Sequence, residues 1–456
     1  MKYLLAILLS ASLFITHAQT VPAFKPLRYE EDYSRLQNDS ARGWYERTKY
    51  SPLNKSGNTY VSLGGEARFQ YFHFTNEDWG EAPKDKDGYV LARYLLHADL
   101  HTGHHFRAFL QLQSSLVNGK LSTSPVEENP LEVHQAFADA ALMSNSTRKL
   151  IIRIGRQELL YGIQRIIAVR DGPNNRQSFD AARAIYTEGP YRLDVFYGHF
   201  VAAKKGIFND GFNQHAKLYG LYLTRSNLPV LQNIDFYYLG HWRDKALFDE
   251  GIGKENRHSL GAHTWGASGG WRYDAEGLYQ LGSFAGSPIH AWTASLYTSY
   301  KWKKVKFTPE LGLKTELISG DKQYDDGRLN TFNPLYPRGA YFGQAALIGP
   351  VNLFDIHPSL SLSLTKKLTW NVDYDLFWRY SRNDGIYGPN VALLYSGKGI
   401  ADKHIGDQLA IEFIYTPNPF LYFRAEFTWF NSGAFLKAAG PGKDILFTGL
   451  TAQVKF

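Results

Sequence analysis

Val61-Ser62-Leu63-Gly64-Gly65-Glu66-Ala67-Arg68-Phe69-Gln70-Tyr71-Phe72 decides the fold. Val61, Leu63, Gly65, Ala67, Phe69 and Tyr71 are apolar or small, and Ser62, Gly64, Glu66, Arg68 and Gln70 between them are polar or charged. A period of two puts these sets on opposite faces of an extended strand. The pattern recurs downstream, among other places near 89–101, 148–155, 178–187, 304–317, 352–364, 367–381 and 444–456, giving about eighteen strands. Most reach the 9–11 residues that a tilted strand needs to cross a bilayer. The connections are sorted as well. Short turns are expected at 101–104, 144–147, 188–190, 226–231, 267–269, 303, 365–366 and 417–419. Longer polar loops alternate with them, around 73–88, 116–130, 156–177, 201–216, 242–256, 318–351, 382–403 and 431–443, with a shorter one near 282–288.

Composition points the same way. The 456 residues carry 30 Tyr, 29 Phe and 10 Trp, yet the mean hydropathy is −0.34. After the first residues no apolar run approaches the length of a spanning helix. A chain rich in aromatics but polar overall fits strands with one face in lipid and one in water. The expected fold is all-β: an antiparallel transmembrane β-barrel of about 18 strands over 58–456, with short periplasmic turns and long extracellular loops. A large secreted sandwich or propeller is the alternative, and it gives no reason for the loops to alternate in length.

Lys2, the apolar run 3–15 and Thr16-His17-Ala18 form the layout of a secretory signal peptide over 1–18, cleaved before Gln19. Residues 19–57 lack the alternation and read as a periplasmic lead-in. The expected location is the outer membrane, with both termini of the barrel in the periplasm. The absence of cysteine excludes disulfides, thiolate metal sites and a lipidated N-terminal Cys. His97, His101, His104 and His105 do not make a metal centre, because positions 97 and 101 on one strand lie about 13 Å apart. Asp321, Asp325, Asp326 and Gly327 match a calcium loop only loosely. No metal and no cofactor is expected. His290, His357, Ser295 and Ser359 invite a barrel-enzyme reading, but no Gly-x-Ser-x-Gly elbow accompanies them. An adhesin is a further alternative, and nothing suggests a nucleic-acid partner.

Alternation sends most strand charges inward, since Arg or Lys on a lipid face costs about 2–4 kcal/mol at mid-membrane. The inward set includes Glu66, Arg68, Arg93, Arg107, Arg153, Lys306, Lys314, Glu316, Asp355, Asp373 and Asp375. The net charge of +7 is concentrated elsewhere. Between 148 and 192, nine basic residues face four acidic ones, leaving a net +5. If the loop between the fifth and sixth strands folds inward, its arginines line the narrowest point, where Arg selects for carboxylates. Otherwise that loop is an outer surface that meets lipopolysaccharide phosphates.

Ile154-Gly155-Arg156-Gln157-Glu158-Leu159-Leu160-Tyr161-Gly162, then Gln164-Arg165 and Arg176-Gln177-Ser178-Phe179-Asp180, resembles the signature of the alginate export family of outer-membrane proteins. Ser319-Gly320-Asp321 with Thr331-Phe332-Asn333-Pro334-Leu335-Tyr336-Pro337 resembles it too, as do 430–437, 27–32 and 63–66. The resemblance implies a monomeric eighteen-stranded barrel conducting a polyuronate through an arginine-rich constriction. By it, Arg156, Arg165, Arg176 and Asp180 line that constriction; alternation adds Arg153, Arg68, Arg93 and Arg107. The expected partners are an anionic oligo- or polysaccharide, membrane lipid and lipopolysaccharide, and a periplasmic component. One departure stands out. The family's alginate exporter has a long occluding turn between strands sixteen and seventeen, where this chain has only Pro417-Asn418-Pro419. That leaves diffusion of smaller acidic sugars, or of mixed solutes, as the rival function.

Overall fold

The computed structural model describes residues 24–39 and 42–456. The expected signal peptide lies outside them. Eighteen strands pair in antiparallel succession and close on themselves. In chain order they are β1 Thr59–Thr75, β2 Tyr89–Thr102, β3 Phe106–Asn118, β4 Asn129–Ser144, β5 Arg148–Gln157 and β6 Phe179–Glu188. Then come β7 Tyr191–Phe200, β8 Ala216–Leu228, β9 Gln232–Phe248, β10 Gly251–Ser268, β11 Trp271–Phe284 and β12 Ser287–Lys301. The last six are β13 Glu310–Ile318, β14 Leu353–Ser363, β15 Leu368–Arg379, β16 His404–Asn418, β17 Leu421–Ser432 and β18 Ile445–Lys455. Closure runs from Glu66 opposite Lys455 to Thr75 opposite Leu446. Every strand therefore has two neighbours, which is the condition for a sheet to stand in lipid without unpaired edges.

The barrel is inside-out relative to a water-soluble protein. On β2, Arg93, His97 and Asp99 are buried while Val90, Tyr94 and Leu96 are exposed, Leu96 at 55%. The alternation read from the sequence is thus the alternation of lumen and lipid. Two connections differ from expectation. In place of a loop over 242–256, β9 and β10 continue past the wall as one long hairpin turned at Asp249-Glu250. The run there reads as loop because its charges and glycines, from Arg243 to Lys254, interrupt the alternation. Conversely, the expected one-residue turn at Lys303 is a connection over 302–309, and Lys306 is exposed there and not in the lumen.

The other connections place most of the interior. The chain between β5 and β6 and the chain between β13 and β14 both fold into the barrel and meet. Ala168 N donates to Tyr336 O at 2.9 Å and Tyr336 N to Ile166 O at 2.9 Å. Aromatic residues seal the junction, with buried Phe179 and half-buried Phe200 each 5.0 Å from the Tyr336 ring. At the end of the barrel with short turns, residues 24–39 and the helix α1, Trp44–Lys49, pack against the inner wall.

Candidate functional site

The in-folded chain after β5 starts at a position only glycine tolerates. Gly155 has φ +131°, and a Cβ there would collide with the Ala136 carbonyl. Beyond it Glu158 is buried, its amide bonded to Gln135 Oε1 at 3.0 Å. Its carboxylate accepts from His134 Nε2 at 2.8 Å and from Arg176 Nε at 2.6 Å. Burial alone would raise the Glu158 carboxyl, but Arg176 and His134 outweigh it and hold the group below its ordinary range. Asn174 fixes the chain to the wall by donating to the carbonyls of Ala92, Leu116 and Glu127.

The residues expected at the constriction divide into four groups. Arg68, Arg93 and Arg176 converge on one turn of the in-folded chain. Arg68 donates to Asp171 O and Pro173 O, and Arg93 bridges Glu66 and Asp171 at 2.6 Å each. Arg176 reaches Asp171 Oδ1 at 3.1 Å. Arg107 on β3 and Arg153 on β5 flank β4, each in a two-point pair, with Asp99 and Asp139 respectively. Arg156 is paired with Asp180 at 2.8 Å and also donates to Val133 O and Asp210 O. Arg165 stands apart, across the lumen, facing Glu316 at 3.3 Å, Glu276 at 3.5 Å and Asp274 at 3.8 Å. The first six arginines are thus compensated at short range by acids or carbonyls. Arg165 has the loosest contacts.

Residues 24–31 insert among the first two groups. The Tyr29 ring lies edge-on to Phe109 and Phe137, at 5.9 and 5.2 Å, and its hydroxyl donates to Glu158 O at 2.8 Å. The Arg153 guanidinium sits 4.2 Å from the same ring. Arg107 and Arg176 donate to Tyr29 O and Pro26 O. Arg28 donates to Gly65 O at 3.1 Å and Phe456 O at 2.9 Å. Sequence periodicity could not find these contacts, because they come from a segment without alternation.

On the Arg165 side an open cavity of about 630 Å³ remains. Arg165, Arg272, Lys314, Arg338 and His357 line it, against Asp274 and Asp373. Trp265, Tyr273, Tyr297 and Tyr341 supply flat apolar faces beside these charges. Arg338 donates to Tyr341 O at 3.1 Å, and among the described residues no carboxylate pairs with it. Arg338 belongs to the inward chain between β13 and β14, which alternation cannot place.

Comparison with known proteins sets this geometry in context. The sequence model of a family described as alginate export matches residues 59–444. No curated protein matches the chain significantly. Among solved structures, Acinetobacter baumannii OccAB1 is similar with a TM-score of 0.58 at 12% identity, over 90% of this chain and 100% of that one. A BenF-like porin from Pseudomonas fluorescens Pf-5 gives 0.57 at 10%, over 87% and 98%. Pseudomonas aeruginosa OccK2 (OpdF), solved in complex with glucuronate, gives 0.55 at 13%, over 87% and 98%. At such identities the likeness is one of fold.

Proposed function

This chain belongs to the alginate export family and is a passive outer-membrane channel, not an enzyme, and on that basis we propose that it conducts anionic saccharides of the polyuronate type. The observation that carries the reading is the open cavity beside Arg165. Its guanidinium and ammonium groups suit carboxylates, and its aromatic faces suit the apolar faces of sugar rings. Arg165 and Arg338 are the groups a passing uronate meets. Arg68, Arg93, Arg107, Arg153, Arg156 and Arg176, already bound to acids and carbonyls, serve chiefly to fix the in-folded chain and set a positive background; Asp180 positions Arg156. Conduction requires weak binding, and Glu276, Glu316 and Asp274 around Arg165 compete with the permeant for the same guanidinium.

In this reading the signal peptide directs export, the short-turn end faces the periplasm, and the channel works as a monomer. Residues 24–39 then narrow the periplasmic mouth as a docked plug. The short β16–β17 link, with only Pro419-Phe420 between the strands, favours small acidic sugars as the rival permeant, and the glucuronate bound by one neighbour is in keeping with that. Single-channel current with added mannuronate or glucuronate oligomers tests the reading. Concentration-dependent block that Arg338→Ala weakens supports it; current indifferent to uronates contradicts it.

A further inference from the structure

We propose that Asp355, His357 and Asp375 form a binding site for one divalent transition-metal ion of the Zn²⁺ or Mn²⁺ type. Asp355 and His357 are two apart on β14 and so share its inner face, and Asp375 comes from the paired strand β15. One nitrogen and two carboxylate oxygens, one from each residue, all lie within 4.8 Å of one another.

An acidic pair beside a histidine is not in itself a site, but Asp355 is unusual. It is 0% exposed, and neither of its carboxylate oxygens has a hydrogen-bond partner among the described residues. A buried carboxylate without donors is costly unless it is paired or coordinates a cation. The nearby ammonium of Lys314 is committed to Glu316 Oε2 at 3.1 Å. Protonating Asp355 would only exchange an acceptor lacking donors for an O–H in need of an acceptor. A cation satisfies both oxygens.

The histidine is set up as a ligand. Its Nε2 lies 2.9 Å from Asp373 Oδ1 and its Nδ1 2.5 Å from Asp375 Oδ1, so an ion bound between Nδ1 and Asp375 takes the place of a proton there while Asp373 holds Nε2–H. An outer carboxylate that fixes the tautomer of a metal-bound imidazole is a recurrent arrangement. One nitrogen and two oxygens favour a first-row transition ion; Ca²⁺ and Mg²⁺ prefer all-oxygen shells. Three protein ligands leave coordination positions open, and the cavity that His357 lines gives an ion entry from the lumen. The site stands independently of what the pore conducts.

The test uses the full chain in detergent, stripped with a chelator, exposed to Zn²⁺ alone or Mn²⁺ alone and desalted, with bound metal counted by mass spectrometry. We expect one equivalent of either ion per chain and a rise in melting temperature. Asp355→Asn and Asp375→Asn should bind none while keeping the heat-modifiable gel mobility of a folded barrel, and Asp373→Asn should bind about 10–100-fold more weakly. No stoichiometric uptake by the unsubstituted chain would overturn the proposal. So would equal uptake by a folded Asp355→Asn, or uptake of Ca²⁺ in preference to Zn²⁺. Should neither Asn variant fold, the unsubstituted chain still decides, by stoichiometry and by whether the ion removes the imidazole's titration from its NMR spectrum.

Discussion

Replacing Tyr29 with alanine should open the channel without harming the barrel. Tyr29 is 3% exposed, although it belongs to no strand. The substitution removes two edge-on aromatic contacts, a cation–π contact with Arg153 and the hydroxyl bond to Glu158 O. Truncating a buried aromatic residue costs about 3–5 kcal/mol. The backbone bonds of Arg107 and Arg176 to this segment survive, so the lower end of that range is the sound expectation. About 3 kcal/mol lowers the docking constant of residues 24–39 roughly 100-fold. Single-channel conductance in planar bilayers should then rise, with noise from the segment entering and leaving. A protease added from the short-turn side should cut near 24–39 in the variant but not in the parent. Unchanged conductance and unchanged protection would refute the idea that this segment plugs the mouth.

Other consequences can be checked together. Lys49 of α1 is fully buried, its ammonium on Leu63 O at 2.8 Å, and burial followed by Arg28 lowers its pKa to about 7 from 10.5. The docked segment then binds fewer protons than the released one between those values, so docking should strengthen as pH rises from about 7 towards 10.5 and be weakest, and flat, below 7. Conductance should fall over that window, and Lys49→Met should remove the dependence. Asp321 and Asp384 meet in the connections at the long-loop end, where burial raises them to about 7 and about 6. These loops keep protons that the unfolded chain loses near 3.8, so their stability should fall as pH rises through 6 to 7. Proteolysis between pH 5 and 8 reads this, and Asp321→Asn should flatten it. Arg153→Ala leaves the buried Asp139 carboxylate with only Arg107, 3.8 Å away, and should cost about 3 kcal/mol in urea unfolding, the low end for a broken buried pair. Gly155→Ala, at a φ of +131°, should impair folding on its own, read as loss of heat-modifiable mobility.

The barrel was legible in the sequence because a strand's two faces meet opposite solvents, and Val61 to Phe72 already display both. The signal fails where the faces do not differ. The extended hairpin around Asp249-Glu250 carries charges and glycines that break the alternation, and so reads as loop. The alternation put Glu316, Asp355 and Asp375 inside, yet could not show that β14 and β15 bring Asp355, His357 and Asp375 together. That depends on register between strands, a property of pairs and not of one run of residues. In the sequence His357 stands out only beside Ser359, as part of the barrel-enzyme reading. The in-folded chains were harder still: Asn174 and Arg338 act through carbonyls supplied by distant segments. The motif around Gly155 and Arg156 falls where the chain turns into the barrel, and local geometry explains the glycine.

The central claim is that the lumen passes acidic sugars beside Arg165 and Arg338. Its most direct test is the reversal potential of the refolded channel in a salt-gradient bilayer, followed by titration with mannuronate oligomers. Anion selectivity and uronate block are expected, with the block weakened about tenfold by Arg338→Ala, the loss of one charge-assisted contact. Cation selectivity, or a current that uronates leave untouched, would contradict it.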